Sequence, residues 1–233
     1  MQLKLFTTPK SARLKKKAGR PAVHARHQAW DLWSQPSEPE HEMALMFLDI
    51  RNFTPLTGQF RPAEVVHLIG RLLSTFQRLV RAHHGRIIET TGDGFYAAFG
   101  FDREIGAAVD DAVHAGAAIM RQLEVLNSSY DQVLGRKIEV GIGIHAGKVA
   151  MGKIHLNGME HLLVMGHAVN IAARLQTATK ALNNNFLISS DVFELLSHRP
   201  SNSTPAVVSL KGVSDGMQVR MIGEQYGELV LSL

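Results

Sequence analysis

Two aspartates stand out among the 233 residues by where they fall. Asp49 closes an apolar run, Met43–Ile50, that reads as a buried strand, and a charge there is costly unless it is exposed or paired. Asp93 sits in Gly92-Asp93-Gly94, a turn between two short apolar segments that read as a hairpin. If the strand end lies beside the hairpin turn, the two carboxylates form a hard, oxygen-rich site suited to Mg2+ or Mn2+ held together with a substrate phosphate. The stretch after Asp49, Arg51-Asn52-Phe53-Thr54-Pro55, leads toward a helix opening near Pro62, and its backbone amides are placed to cradle phosphate. Asn170 and Arg174 are four apart on an expected helix, so they share a face on which an amide and a guanidinium can hold a ribose oxygen and a phosphate. Lys211 follows a strand and precedes Gly212. Each feature also has a plainer structural reading: turn chemistry for Asp93, a surface pair for Asn170 and Arg174, a solvated lysine for Lys211.

The elements that must position these residues alternate along the chain. Apolar spacing predicts a strand at Met43–Ile50, a helix over Pro62–His84, strands at Arg86–Thr91 and Phe95–Phe99, and an alanine-rich helix over Glu104–Leu126. Lys137–His145 and Lys148–Ile154 read as a second hairpin turning at Ala146-Gly147. A short strand at Leu162–Met165, a helix over Ala168–Ala181, and shorter elements at Phe186–Ser189, Asp191–Ser197, Val207–Leu210 and Gln218–Ile222 follow. The order β-α-β-β-α-β with further β and α elements predicts an α+β fold: a ferredoxin-like core, with helices packed on a mostly antiparallel sheet and the first and second strands adjacent.

Composition bounds the rest. Hydrophobic residues make up 45% and charged residues 20%, as in an ordinary globular domain. No apolar run approaches the roughly 20 residues that span a bilayer, and the N-terminus lacks an apolar signal segment. With no cysteine the chain has neither disulfides, thiolate metal sites nor a thiol nucleophile, which fits a cytoplasmic location. Net charge +4 hides a segregation: residues 1–30 carry eight Lys or Arg and no acid, while the remainder holds 17 bases and 21 acids. The chain therefore divides into a basic arm and linker at 1–42, with a short helix at 22–33 carrying Trp30 and Trp33, a folded domain at 43–225, and a tail at 226–233. Such an arm offers contact with an anionic membrane or nucleic acid, or simply remains a solvated tail. The twelve histidines show no zinc spacing.

Five blocks together resemble the class III nucleotidyl cyclases, the adenylate and guanylate cyclase catalytic domain. Phe47-Leu48-Asp49-Ile50-Arg51-Asn52-Phe53-Thr54 resembles the family's F-x-D-I-x-G-F-T, and Thr91-Gly92-Asp93-Gly94-Phe95 its second aspartate hairpin. Gly141-Ile142-Gly143-Ile144-His145-Ala146-Gly147 resembles G-I-G-I-H-x-G. The segment from Val164 to Leu175 resembles V-x-G-D-x-V-N-x-A-A-R-L, and Leu210-Lys211-Gly212 resembles L-K-G. The resemblance implies a homodimer with shared sites. In each, Asp49 and Asp93, with Ile50, hold two Mg2+ or Mn2+ from one copy. From the other, Asn170 positions the ribose, Arg174 stabilises charge on the α-phosphate, and Lys211 contacts the terminal phosphates. Asn52, Phe53 and Thr54 bind phosphate. The implied reaction forms a 3′,5′-cyclic nucleotide and pyrophosphate from a nucleoside triphosphate.

Glu89, four residues before Asp93, falls where the family's adenylate cyclases typically carry lysine and its guanylate cyclases glutamate. A carboxylate only accepts hydrogen bonds, and guanine offers two adjacent donors where adenine offers one beside an acceptor. GTP is therefore favoured over ATP. Leu163 occupies the family's second base-reading position and cannot hydrogen-bond a base edge, which leaves an adenylate or pyrimidine-nucleotide cyclase of relaxed selectivity as the alternative. A silent nucleotide-binding regulatory module is the alternative of another class. Asn52 replaces a usual glycine and His167 a usual aspartate, and Arg51 is a candidate for drawing in the triphosphate.

Overall fold

The computed structural model describes residues 40–212 and 216–227, apart from the side chains of residues 56, 132 and 133. The expected arm, its helix at 22–33, and the tail beyond 227 lie outside the described residues. All the described residues belong to one compact unit.

Strand β1, Glu40–Ile50, is the spine. Its alternate residues Ala44, Met46, Leu48 and Ile50 enter one core, with Leu72, Phe76 and Val80 from α2 (Pro62–Ala82) and Ala108, Ala112, Ile119 and Leu123 from α3 (Ile105–Leu134). The intervening Met43 and Leu45 enter a second core on the opposite face, with Val149, Val164, Ala168 and Ala172. Burial on both faces explains why this strand reads as an unbroken apolar run. It also places Asp49, by the two-residue alternation, on the second face. β1 starts three residues before the apolar run, because Glu40, His41 and Glu42 pair with Ala150, Val149 and Lys148.

The sheet order is β2-β3-β1-β4-β6-β8-β7, with β5 pairing β4. β2 is Arg86–Thr90, β3 Gly94–Phe99, β4 Val140–Leu156, β5 Met159–Met165, β6 Phe186–Ser189, β7 Thr204–Val208 and β8 Met217–Met221. The pairing of β4 with β6 is parallel; the other pairings among the described strands are antiparallel. The α+β class holds. β1 is flanked by β3 and β4, not by β2 as expected.

Three local expectations change. β4 is one strand of 17 residues that runs straight through Ala146 and Gly147, which pair with Ala44 and Met43. The turn comes at Asn157-Gly158, whose φ values of 52° and 76° suit a two-residue hairpin loop. Gly147 is there for packing, since a Cβ on it would lie 3.0 Å from the Cβ of Ala168. Helix α3 continues eight residues past Leu126 to a left-handed stop at Gly135, φ 64°. Asn127 does not end it, because its side chain donates to the Ile138 carbonyl and accepts from the Ile138 N–H, both at 2.8 Å. A short helix α1, Phe53–Thr57, precedes α2 and was not anticipated.

Helix α4, His167–Ala181, lies directly on β4. A Cβ at Gly143 would sit 2.7 Å from both Gln176 Cα and the Leu175 carbonyl carbon. The alternation in Gly141-Ile142-Gly143-Ile144 thus has a physical cause: isoleucines fill the α2/α3 core while glycines let α4 settle onto the backbone. The short helix α5, Ser190–Leu195, is capped by the Ser189 hydroxyl, which accepts from Val192 N–H. Among the described residues no helix is long and apolar enough to cross a membrane.

Candidate active site

The structure brings the two aspartates together at one end of β1. Asp49 pairs with Gly94 on β3 and Gly141 on β4. The hairpin carrying Asp93 is closed by Thr91 N–H donating to the Gly94 carbonyl at 2.9 Å, with Gly92 at φ 83°. Ile50 N–H donates to the Asp93 carbonyl at 3.3 Å and stitches the turn to the strand. Gly94 permits this approach, since a Cβ there would collide with the Leu48 carbonyl and lie 3.2 Å from Asp49 Cα. Burial, and then the nearby Asp93 charge, raise the Asp49 carboxyl above its ordinary range, while Arg51 pulls the other way. The nearby guanidinium, Arg51 at 3.7 Å from Asp49, does not offset two half-buried carboxylates that repel each other. They suit a hard divalent cation that takes its other ligands from water and phosphate. Among the described residues no set of three or more His, Cys, Asp or Glu forms a closed metal cage.

The turn after the strand follows from the same geometry. Asn52 has φ 53°, a left-handed conformation that glycine and asparagine tolerate best, which accounts for asparagine in place of glycine. Its carbonyl accepts from Arg136 Nη2 at 2.7 Å. Phe53 packs against the main core and Thr54 is exposed. Arg51 does not face outward to attract a triphosphate. Its side chain is 11% exposed and is spent on contacts inside the domain.

A second group gathers around a cavity of about 400 Å3, whose lining includes Glu89, Tyr96, Leu163, Val164 and Asn170. Tyr96 comes from β3, its ring stacked on Phe47 at 4.9 Å, and its hydroxyl donates to the Val164 carbonyl at 2.7 Å. Burial and the Glu89 charge push that hydroxyl up to about 12, so it stays a donor. The bond clamps β5, which carries Leu163, near β2, which carries Glu89. One helical turn beyond Asn170 is Arg174. Its Nη1 is buried and has no hydrogen-bond partner, a donor lacking an acceptor. A Cβ on Gly212, at φ 75°, would lie 3.5 Å from that nitrogen, so the Lys211-Gly212 turn stands beside the guanidinium. Lys211 itself is exposed. Neither Asp49 nor Asp93 lines this cavity. A similar cavity of about 410 Å3 opens beside α2 and α3, around Phe60, Leu68 and Tyr130, and holds none of these residues.

The profile of the adenylate and guanylate cyclase catalytic domain matches residues 35–224. The chain belongs to that family. It is 29% identical over 184 residues to an adenylate cyclase of Anabaena cylindrica, covering 76% of this chain and 36% of that protein. It is 32% identical over 148 residues to the receptor-type guanylate cyclase gcy-6 of Caenorhabditis elegans, covering 63% of this chain and 13% of that one. The crystal structure of the guanylyl cyclase Cya2 superposes with a TM-score of 0.72 at 25% identity, covering 83% of this chain and 96% of that one. The cyclase domain thus spans about a third or less of the two relatives' lengths.

Several residues that brace the candidate site residues carry no motif in the sequence. Tyr96 lies within an ordinary apolar strand, and its partner is 68 residues away. Tyr226 was assigned to a tail, yet it is 5% exposed and hydrogen-bonded to Arg51 and Thr179. The Asn183-Asn184-Asn185 run carries a local signal for a laced turn, since asparagine tolerates positive φ, taken here by Asn183 at 46°, and its side chain both donates and accepts.

Proposed function

We propose that the domain converts a nucleoside triphosphate, GTP in preference, to its 3′,5′-cyclic nucleotide and pyrophosphate, in a homodimer with two shared sites. The observation that carries this reading is the division of the site residues into two incomplete halves on one chain. One half has two mutually repelling carboxylates that the single Arg51 guanidinium, 3.7 Å from Asp49, only partly balances. The other has a cavity edged by Glu89, Leu163 and Asn170, with the unpartnered Arg174 donor beyond it. Each half offers what the other lacks, and joining halves from two copies completes a site. The exposed apolar residues Leu156 (52%), Met159 (61%) and Met165 (64%), on the β4–β5 hairpin, give a second copy a surface to cover.

In this reading the 3′-oxygen of the ribose attacks the α-phosphorus, the bond to the bridging oxygen breaks, pyrophosphate leaves and the hydroxyl proton passes to solvent. Asp49 and Asp93, with the carbonyl of Ile50, hold two Mg2+ or Mn2+, which when bound lower the pKa of the hydroxyl and neutralise the leaving charge. The chain's own groups do the rest. Asn170 orients the ribose. Arg174 donates to the α-phosphate as charge builds there. Lys211 and the amides of Asn52, Phe53 and Thr54 hold the outer phosphates. Glu89 accepts from the two donors of guanine. Leu163 adds only apolar contact, which favours a modest preference over strict selection and keeps an adenylate or pyrimidine-nucleotide activity as the second reading.

The test is incubation of the purified protein with ATP, GTP, CTP or UTP plus Mn2+, with products identified by mass. Cyclic GMP as the main product supports the proposal. A different main product removes the base assignment, and no cyclic product from any of the four removes the activity.

A further inference from the structure

Arg51 sits between the carboxylate end of β1 and the last described segment of the chain, and its donors are distributed so that its plane cannot turn. Its Nε donates to the Tyr226 hydroxyl at 3.1 Å, and Nη2 donates to the Gln176 carbonyl at 2.8 Å and to the Thr179 hydroxyl. That leaves Nη1 facing Asp49 Oδ2 at 3.7 Å. Room for the guanidinium exists because residue 141 is glycine, since a Cβ there would collide with Arg51 Nη2.

Tyr226 is the outer anchor. Its hydroxyl accepts from Arg51 and donates to Thr179 at 2.9 Å, while Thr179 in turn donates to the Gln176 carbonyl at 2.6 Å, so the hydroxyls of both residues are satisfied. The segment carrying it is laced to the three asparagines after α4. Asn185 N–H donates to the Glu224 carbonyl at 2.8 Å and Asn185 Oδ1 accepts from Glu224 N–H at 2.9 Å. Asn184 Nδ2 donates to the Gly223 carbonyl at 2.9 Å, and Asn183 Oδ1 accepts from Tyr226 N–H at 3.2 Å. Gly227 N–H reaches Glu139 at 2.8 Å.

We propose that Arg51 and Tyr226 are a positioning pair for the metal half of the site. The strap formed by residues 222–227, pinned on Asn183–Asn185, locks the Arg51 guanidinium, and the locked guanidinium holds the Asp49 carboxylate in the orientation that receives the metal. Neither residue touches substrate. Release of the strap removes the Nε anchor and leaves the guanidinium held through Nη2 alone, which lets it swing, lets Asp49 turn, and weakens the metal half while the base cavity stays as it is. The inference rests on the reading of Asp49 as a metal carboxylate.

The experiment uses the full chain as wild type, Tyr226→Phe and Asn183→Gly. The first variant keeps the ring beneath the cation and removes one hydroxyl. The second keeps the positive φ and removes the oxygen that pins the strap. Mn2+ binding is followed by the electron paramagnetic resonance of free Mn2+ in the presence of 3′-deoxy-GTP, which cannot cyclise, alongside the melting temperature and steady-state kinetics. Both variants are expected to weaken Mn2+ binding by about tenfold, the scale seen when a residue orienting a metal ligand is removed. The KM for nucleotide at saturating Mn2+ should stay within about twofold of wild type, because the pair does not contact the base cavity. A merely structural role would lower the melting temperature of the folded variants and leave their Mn2+ constants at the wild-type value, which overturns the proposal. If Tyr226→Phe does not fold, the Asn183→Gly arm decides by the same criterion. A wild type that binds Mn2+ with the analogue and makes no cyclic nucleotide defeats the proposed activity, and the comparison of Mn2+ constants still decides the pair. A wild type that binds no Mn2+ defeats both.

Discussion

A methyl group at residue 143 tests whether the glycines of β4 exist to seat the helix that carries Asn170 and Arg174. In Gly143→Ala the new Cβ would lie 2.7 Å from Gln176 Cα and from the Leu175 carbonyl carbon. These are backbone atoms of α4, so no side chain can swing aside. Restoring ordinary contact requires α4 to lift by about 1 Å, and overpacking of this kind costs about 1–3 kcal/mol. The larger effect is on function. Asn170 and Arg174 ride on the same helix, and a shift of about 1 Å in positioning groups costs about 100-fold in turnover. Asp49 and Asp93 do not ride on it, although Arg51, which faces Asp49, is held partly by Gln176 and Thr179 of that helix, so the carboxylate half is disturbed less than the helix half and not spared outright. The expected result is a folded protein with a melting temperature lower by several degrees and turnover reduced by about two orders of magnitude. Mixing it with Asp49→Ala should restore activity, because the mixed dimer then owns one site with intact carboxylates from one copy and an intact helix from the other. A folded Gly143→Ala with wild-type turnover, or with loss that Asp49→Ala cannot complement, refutes the argument.

Three further outcomes follow from the same geometry. Equimolar mixing of Asp49→Ala with Arg174→Ala, each inactive alone, should recover roughly a quarter of wild-type turnover, since half the dimers are mixed and each of those keeps one of two sites; no recovery from folded variants excludes shared sites. Glu89→Lys should lower the GTP-to-ATP ratio of kcat/KM by at least about tenfold, as a site built to accept two donors then presents a donor instead; an unchanged ratio removes Glu89 as the base reader. His145 is 6% exposed, 2.9 Å from the Ser189 hydroxyl, and burial holds its pKa down to about 4 despite Asp191 nearby, with His167 adding to the depression. Its folded-state pKa lies below the unfolded value of about 6.5, so stability is full above pH 6.5 and falls as the pH drops toward 4, by up to about 3 kcal/mol. His145→Gln should flatten that acid limb of the melting curve, and an unaltered limb would assign it to other groups.

The residues themselves settled what depends on near neighbours. Short apolar runs and 3.6-residue apolar spacing placed β1, α2, β3, α4 and β6 close to where they lie. The Gly-Asp-Gly turn put Asp93 at a hairpin tip. Reading failed where a residue's meaning depends on what packs beside it. Ala146-Gly147 looks like a turn until β1 is paired along its whole length, and then it is mid-strand under Ala168. The helix expected to stop at Leu126 runs on, and Asn127 inside it finds both of its side-chain partners on Ile138. Only the folded chain shows that Arg51 points inward to a tyrosine 175 residues away, and that Arg174 is left with a buried donor and no acceptor. Local preference is written in a few adjacent residues, whereas those contacts are made by the order of strands in the sheet, which no short stretch of sequence contains.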